Sequence, residues 1–287
     1  MKRAQEVLYP EHPDKVEPKQ TLDTGTPPIR SISAPGDLGQ WLSRGWQDLM
    51  KVPSVLLHGL VVAAVGAVIL FLSWEQPVVS LMFISGFLLV GPILAVGVNE
   101  MARRLEQGGP IRFSTGLSAI RELGWAVWLY AAILIIMFAL WAGIMWRWIG
   151  VLTMGDLGTP ASMGEVFGAM LASPQGVAAL LGVIVAGLVF ALAVFALSLV
   201  TLPAMLDRKR GLVDAVAISL KALKTNLGPL LLWGLLITVL FAVSVATAFI
   251  ALIVIFPWLG LSMWHGYRGL VDQGERPSKA KPHPAHG

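Results

Sequence analysis

Six apolar segments constrain what this chain can fold into. They cover residues 54–73, 78–98, 125–147, 175–203, 229–245 and 248–266. About 20 apolar residues in a helix cross the ~30 Å hydrocarbon core of a bilayer, so each segment predicts a membrane-spanning helix. The last two segments lie in one apolar run, which as a single helix would be about 55 Å long. We therefore predict two spans with a tight turn near residues 244–247; one span followed by a re-entrant segment is the alternative.

The amino-acid composition supports a membrane protein. Charged residues make up only 13% of the chain and hydrophobic residues 56%. A soluble domain carries about 25% charged residues, so the deficit indicates an integral membrane protein. The formal net charge of +4 does not indicate nucleic-acid binding, because the basic residues lie in short loops between apolar segments. The chain has no cysteine, which excludes disulfides and cysteine-ligated metal sites.

The basic residues fall on one side of the predicted membrane. With six spans and both termini inside, all 21 Lys and Arg residues except Arg147 lie in the inner segments. The outer loops then carry the acidic residues Glu75, Asp156 and Glu165. Inner loops of bacterial membrane proteins are rich in Lys and Arg. The distribution therefore predicts a multi-pass protein of the bacterial inner (cytoplasmic) membrane, with both termini in the cytoplasm.

Three amphipathic stretches each precede an apolar hairpin. Residues 37–51, 113–123 and 213–226 repeat apolar side chains at helical spacing, with charged side chains opposite. We predict that each forms an interfacial helix at the inner face of the membrane. The predicted apolar faces are Leu38, Trp41, Leu42, Gly45, Leu49 and Val52 in the first stretch, Phe113, Gly116, Leu117, Ile120 and Leu123 in the second, and Val213, Val216, Ala217, Leu220, Leu223 and Leu227 in the third.

The ends of the hairpins favour an internal repeat. Glu100 and Arg103 follow Pro92 at the same offsets at which His265 and Arg268 follow Pro257. Together with the three amphipathic stretches, this predicts an all-α polytopic membrane helix bundle. Its six transmembrane helices would form three hairpin repeats, each preceded by an amphipathic interfacial helix.

Polar segments flank the predicted membrane domain at residues 37–270. Residues 1–36, which are rich in proline and charge, and residues 271–287 predict disordered cytoplasmic tails. Within the outer loop at residues 149–174, a capping box at residues 162–165 predicts a short helix.

Two motifs resemble a bacterial family of integral membrane proteins. They are GPILAVGVNEMARRLEQG, which starts at Gly91, and FPWLGLSMWHGYRGL, which starts at Phe256. The chain resembles domain of unknown function 2189 over roughly residues 30–272. The resemblance implies a membrane protein and supplies no activity or catalytic residues. Some members carry a cytochrome c oxidase label, although this chain lacks the set of intramembrane histidines that a heme–copper subunit needs.

His58 and His265 are the histidines near the predicted membrane. Two imidazoles on helices could ligate a b-type heme. The alternative is that His58 hydrogen-bonds a neighbouring helix and His265 lies among the lipid headgroups. The sequence contains no evident catalytic triad, metal-spaced carboxylates or phosphate-binding glycine loop. We therefore expect neither an enzyme, nor a cofactor, nor a metal site.

The ends of the hairpins carry the candidate functional residues. Glu100 and Arg104 form an i, i+4 pair, for which a simple interfacial salt bridge is the alternative to a functional role. Glu100 and His265 have equivalent offsets from their prolines, so a pseudo-threefold arrangement would bring a carboxylate close to His265. The predicted cytoplasmic cluster comprises Asn99, Glu100, Arg103, Arg104, Asp207, Arg208, His265, Tyr267 and Arg268.

The apolar character of the spans limits the possible functions. Their centres contain no Asp, Glu, Lys or Arg, which argues against a proton-coupled carrier. We predict a non-catalytic interaction or accessory protein of a membrane complex. Its partners would be the lipid bilayer and other membrane proteins, and not nucleic acid. The alternative is a transporter or channel for a small uncharged or apolar solute, and a heme-binding membrane protein is a third interpretation.

Overall fold

The computed structural model describes residues 26–153 and 163–271, and these residues form twelve α-helices with a short 3₁₀ turn at Pro53–Val55. The helices are α1 (Gly36–Lys51), α2 (Leu56–Leu72), α3 (Pro77–Leu94), α4 (Val96–Glu106), α5 (Phe113–Leu123), α6 (Trp125–Thr153), α7 (Met163–Leu171), α8 (Pro174–Ser198), α9 (Thr201–Arg208), α10 (Leu212–Thr225), α11 (Leu227–Ala246) and α12 (Leu252–Leu270).

Five helical stretches are long and apolar enough to cross a membrane. They are Pro53–Leu72, Pro77–Glu106, Trp125–Arg147, Pro174–Arg208 and Leu227–Ala246. The predicted sixth span falls on α12, whose second half carries His265 and Arg268 and is therefore less apolar. The predicted turn lies slightly later than expected, at residues 247–251. There Ala248 and Phe249 adopt positive φ angles of 49° and 68°.

Two of the spanning stretches continue past the thickness of a bilayer. Pro77–Glu106 has 30 residues and Pro174–Arg208 has 35, whereas about 20 residues cross the hydrocarbon core. Each stretch is interrupted near its polar end, at Ala95 between α3 and α4 and at residues 199–200 between α8 and α9. The extensions α4 and α9 therefore form part of a separate layer, which we call the polar layer: α1, α4, α5, α9, α10 and residues 258–270 of α12.

A serine from α10 satisfies the backbone at the second interruption. The Ser219 hydroxyl donates to the Ala196 carbonyl at 2.7 Å and accepts from the Val200 N–H at 3.4 Å. Ser219 is fully buried. Unpaired backbone groups are costly away from water, so a broken helix in a membrane protein persists only where side chains replace the lost bonds.

In the polar layer, each short amphipathic helix packs against the end of a hairpin. Helix α5 packs on α4, α10 packs on α9, and α1 packs on α12 at the other end of the chain, while α4, α9 and α12 also contact one another. The contact between α1 and α12 is close because Gly45 has no side chain. A Cβ atom at that position would lie 2.7 Å from the Ser262 backbone nitrogen.

The buried face of α1 agrees with the prediction, whereas that of α10 does not. Helix α1 buries Leu38, Trp41, Gly45 and Leu49. Helix α10 turns a different face to the protein, and the predicted Val213 and Leu220 are 81% and 45% exposed. Both sides of α10 carry apolar residues, so the face it buries in the protein differs from the predicted apolar face, whose orientation toward lipid stays a prediction. Its buried residues are Leu212, Ala215, Ile218, Ser219 and Ala222.

Residues 26–35, part of the predicted N-terminal tail, lie against α10 and the end of α12. The Arg30 N–H donates to the Leu270 carbonyl at 2.8 Å. The Asn226 side chain accepts from the Ile32 N–H at 2.8 Å and donates to the Arg30 carbonyl at 2.9 Å. The remaining predicted tail segments, 1–25 and 272–287, and the start of the predicted loop helix at residue 162 lie outside the described residues.

Candidate functional site

A cavity of about 470 Å³ lies between α3, α8, α11 and α12. Its volume falls in the range of about 300–1,000 Å³ that is typical of small-molecule sites. None of the described residues that line it is charged. On one side the lining residues are also 39–58% exposed, so the cavity opens sideways between α8 and α11. These residues at the opening are Leu188, Leu192, Leu231 and Leu235.

Two polar side chains in the cavity wall have atoms with no hydrogen-bond partner among the described residues. They are Oδ1 of Asn99 and Nε1 of Trp233. The side chains of Asn99 and Trp233 are 4% and 0% exposed. Leaving a buried donor or acceptor unpaired costs about 1–3 kcal/mol, so such atoms are rare in folded proteins and require an explanation.

Local structure fixes the positions of Asn99 and Trp233. The Asn99 Nδ2 donates to the Ala95 carbonyl at 2.9 Å, which leaves only Oδ1 unpaired. The Trp233 ring meets the Trp41 ring edge-on, with centroids 5.7 Å apart. Each side chain is therefore held by a contact with a neighbouring group.

The interruptions of the long spans lie at the same end of the cavity as these polar atoms. Ala95 and Leu199, at the two interruptions, both line it, as do Pro92 and Pro203. The opposite end is aromatic: the rings of Phe87 and Phe241 are stacked with centroids 6.3 Å apart. The cavity is therefore polar at one end and apolar at the other.

The predicted cytoplasmic cluster is divided between several sites, and its Asn99 lies in the cavity. Glu100 is fully buried and accepts three hydrogen bonds, at 2.8 and 2.8 Å from Arg103 and at 2.6 Å from Arg104. Both arginines also pair with Glu122 of α5, at 2.9 and 3.0 Å. These ion pairs join α4 to α5 and thereby anchor the two helices to one another.

A second part of the predicted cluster joins α9 to α12. Arg268 donates to both oxygens of Asp207, at 2.7 and 2.6 Å, and its Nε donates to Glu106 at 2.9 Å. The Tyr267 hydroxyl donates to Asp207 at 2.8 Å and accepts from Nε of Arg208 at 3.2 Å. These charge-assisted bonds fix the ends of the two helices relative to one another.

The carboxylate at His265 belongs to α1, and the predicted role of Glu100 there was wrong. Asp48 lies 2.7 Å from Nε2 of His265 and 3.0 Å from Nζ of Lys51. Burial opposes ionisation of Asp48, but hydrogen bonds and charge from His265 and Lys51 outweigh it and lower the pKa of Asp48. Glu100 pairs with arginines of its own helix because they follow it at helical spacing.

His58 lies in a narrow slot between α4 and α5. Its ring is 4.6 Å from the Phe113 ring, and a Cβ atom on Gly97 would lie 2.6 Å from its Nε2. Neither ring nitrogen has a hydrogen-bond partner among the described residues. Because the slot is filled by protein and His265 Nε2 contacts Asp48, the geometry does not favour the two histidines as heme ligands.

Sequence reasoning missed several residues that the structure brings together. Trp233 and Ser198 are ordinary members of apolar runs, and Glu106 and Asp48 lie far along the chain from their partners Arg268 and His265. Trp233 carried a detectable signal: it lies within an apolar run, whereas tryptophan in membrane proteins favours the interface. In the described part of the chain, no group of three or more His, Asp or Glu residues could hold a metal ion.

Comparison with known proteins agrees with the resemblance over the central part of the chain. The family model described as "Predicted integral membrane protein (DUF2189)" matches residues 78–207. This region runs from the start of α3 to α9 and includes Asn99 and Ser198 of the cavity wall. No curated protein and no solved structure gives a significant match to this chain.

Proposed function

We propose, from the premise that residues 78–207 belong to the DUF2189 family of predicted integral membrane proteins, that this chain binds a small, uncharged, largely apolar molecule inside the membrane and works as a carrier for it. The observation that carries the proposal is the cavity: it has the volume of a small-molecule site, it lacks charged lining residues, and it opens sideways between α8 and α11.

The interrupted helices support a carrier. Secondary transporters commonly place their substrate site where spanning helices are discontinuous. Here both interruptions, at Ala95 and at Leu199, line the cavity. A cavity without charged groups suits an uncharged solute, because an ion would lose its hydration without gaining a partner.

We also propose six spans in three repeated units, in a bacterial inner membrane with both termini in the cytoplasm. Residues 252–263 of α12 are apolar and would complete the sixth span with the preceding turn. The three helix pairs of the polar layer, α4 with α5, α9 with α10 and α12 with α1, are what three units, each with an amphipathic helix, would produce. Reporter fusions at residues 75, 158 and 246 should lie outside, and those at 110, 215 and 280 inside. A periplasmic reporter at 280 would refute six spans.

The carrier proposal is tested by filling the cavity. Ala191 of α8 lines it, whereas Ala67 of α2 is exposed and does not. Ala191→Trp should therefore abolish the binding of the apolar fluorophore N-phenyl-1-naphthylamine to the protein in lipid nanodiscs, and Ala67→Trp should leave it unchanged. Both variants are first matched for thermal stability and monodispersity.

A transport assay separates the carrier from the accessory subunit. In proteoliposomes, the carrier proposal is supported if wild type moves the same fluorophore with saturable kinetics and Ala191→Trp abolishes this movement. Equal binding by wild type and both tryptophan variants would refute the cavity as the site. Stoichiometric co-purification with another membrane protein, together with failed binding, would favour the accessory interpretation.

A further inference from the structure

The unpaired polar atoms of the cavity have complementary hydrogen-bonding roles. Oδ1 of Asn99 can only accept, and Nε1 of Trp233 can only donate. A ligand that satisfies both must offer at least one donor and one acceptor. A hydrocarbon offers neither, and an ether offers only an acceptor.

Both residues lie next to the polar layer. Asn99 belongs to α4, just after the interruption at the end of α3, and the Trp233 ring contacts Trp41 of α1. Trp233 lies in the second turn of α11. Apart from Ser198 and Thr238, the remaining wall is apolar, and it ends at the stacked Phe87 and Phe241. A ligand with one polar end would therefore bind in a single orientation.

The charge of the ligand is restricted by the same wall. No Lys, Arg, Asp, Glu or His occurs among the described lining residues, so an ionised head group would have no counter-charge. The residues at the opening, Leu188, Leu192, Leu231 and Leu235, are apolar and exposed. Entry would thus occur from the membrane, along a route without polar groups.

We infer that the ligand is an uncharged amphiphile with a hydroxyl head, such as a long-chain alcohol or phenol. Its hydroxyl donates to Oδ1 of Asn99 and accepts from Nε1 of Trp233, while its apolar body extends toward Phe87 and Phe241. This inference rests on the proposed function and specifies the ligand class for the same cavity. It gives Oδ1 of Asn99 and Nε1 of Trp233 their partners.

The test compares four twelve-carbon compounds as competitors of N-phenyl-1-naphthylamine in nanodiscs: 1-dodecanol, dodecyl methyl ether, dodecane and dodecyl phosphate. Affinities are referred to the concentration of each compound in the lipid phase, so that partition into the bilayer cancels. The alcohol should bind wild type about 2- to 12-fold more tightly than the ether, the equivalent of one hydrogen bond. Dodecane and dodecyl phosphate should bind more weakly than both.

Three variants identify the contacts. Asn99→Leu should weaken binding of the alcohol and leave that of the ether unchanged, because only the alcohol donates. Trp233→Phe keeps an aromatic ring and should weaken both. Thr238→Val is the matched control: Thr238 lines the cavity, but its hydroxyl already donates to the Gly234 carbonyl at 2.9 Å, so the ratio of the alcohol affinity to the ether affinity should stay as in wild type.

The outcomes separate this inference from the proposed function. If dodecane or dodecyl phosphate competes as well as dodecanol, the hydroxyl head is refuted, while cavity binding stands. Equal binding of the alcohol and the ether by wild type would also refute the hydroxyl head and leave cavity binding intact. This result does not depend on whether any variant folds. If the fluorophore does not bind wild type, or binds Ala191→Trp equally, the cavity itself is refuted and this inference falls with it.

Discussion

Two glutamates of one ion-pair group provide a matched test of the polar layer. Glu100 and Glu122 both bind Arg103 and Arg104, but the Glu100 side chain is 0% exposed and that of Glu122 is 40% exposed. Replacing either by glutamine preserves the size of the side chain and removes one negative charge. The difference between the two variants therefore measures the effect of burial.

The expected magnitudes differ by a factor of at least three. Removing one partner of a buried ion pair costs about 3–5 kcal/mol, because the remaining charge is left buried and unpaired. Arg103 and Arg104 would retain Glu122 and are 13% and 32% exposed, so we expect Glu100→Gln to lower the free energy of unfolding by about 3 kcal/mol, at the lower end of that range. For Glu122→Gln we expect at most about 1 kcal/mol, as for other exposed pairs.

Unfolding in mixed micelles by increasing SDS, followed by tryptophan fluorescence, measures both values. Salt gives a second criterion, since exposed charges are screened more strongly than buried ones. High ionic strength should remove the small effect of Glu122→Gln and leave most of that of Glu100→Gln. Equal losses for the two variants, or a loss at Glu100 that salt removes, would show that Glu100 is solvated and that the argument from burial is wrong.

Three further variants test other contacts. Gly45→Ala should be about 1–3 kcal/mol less stable than Gly39→Ala in thermal unfolding. Gly45 lies against α12, whereas a Cβ atom on Gly39 would meet nothing within 4 Å. Equal stability of the two variants would refute close packing of α1. Ser219→Ala should lower stability by about 1–3 kcal/mol by leaving backbone groups at the second interruption unpaired, and a neutral effect would show that they have other partners. Because the pKa of Asp48 is lowered, its ionised form stabilises the fold above about pH 4, and this contribution is lost as the pH falls through the lowered pKa. Asp48→Asn should therefore flatten the dependence of unfolding stability on pH in that acidic range. An unchanged pH dependence would contradict the prediction.

The sequence was sufficient to predict the class of protein and most of its helices. Apolar length and charge depletion act locally: a segment that cannot bind water well must be buried in protein or lipid whatever surrounds it. For this reason the all-helical architecture, the spanning stretches and the buried face of α1 follow from the order of residues. Gly91 and Pro92 precede the interruption at Ala95 and act locally as well, because proline removes a helical hydrogen bond wherever it occurs in a helix.

Only the tertiary structure decided which residues share a site. Helix α10 has apolar residues on both sides, so its buried face depends on where α9 and α8 lie. Asn99 was assigned to a cytoplasmic cluster because it adjoins Glu100 in sequence, yet it lines the cavity with Trp233, a residue 134 positions further along the chain. His265 binds Asp48 from the other end of the chain. Periodicity reports which side chains avoid water, whereas the partner of a polar group depends on helix packing, and packing is a property of the whole bundle.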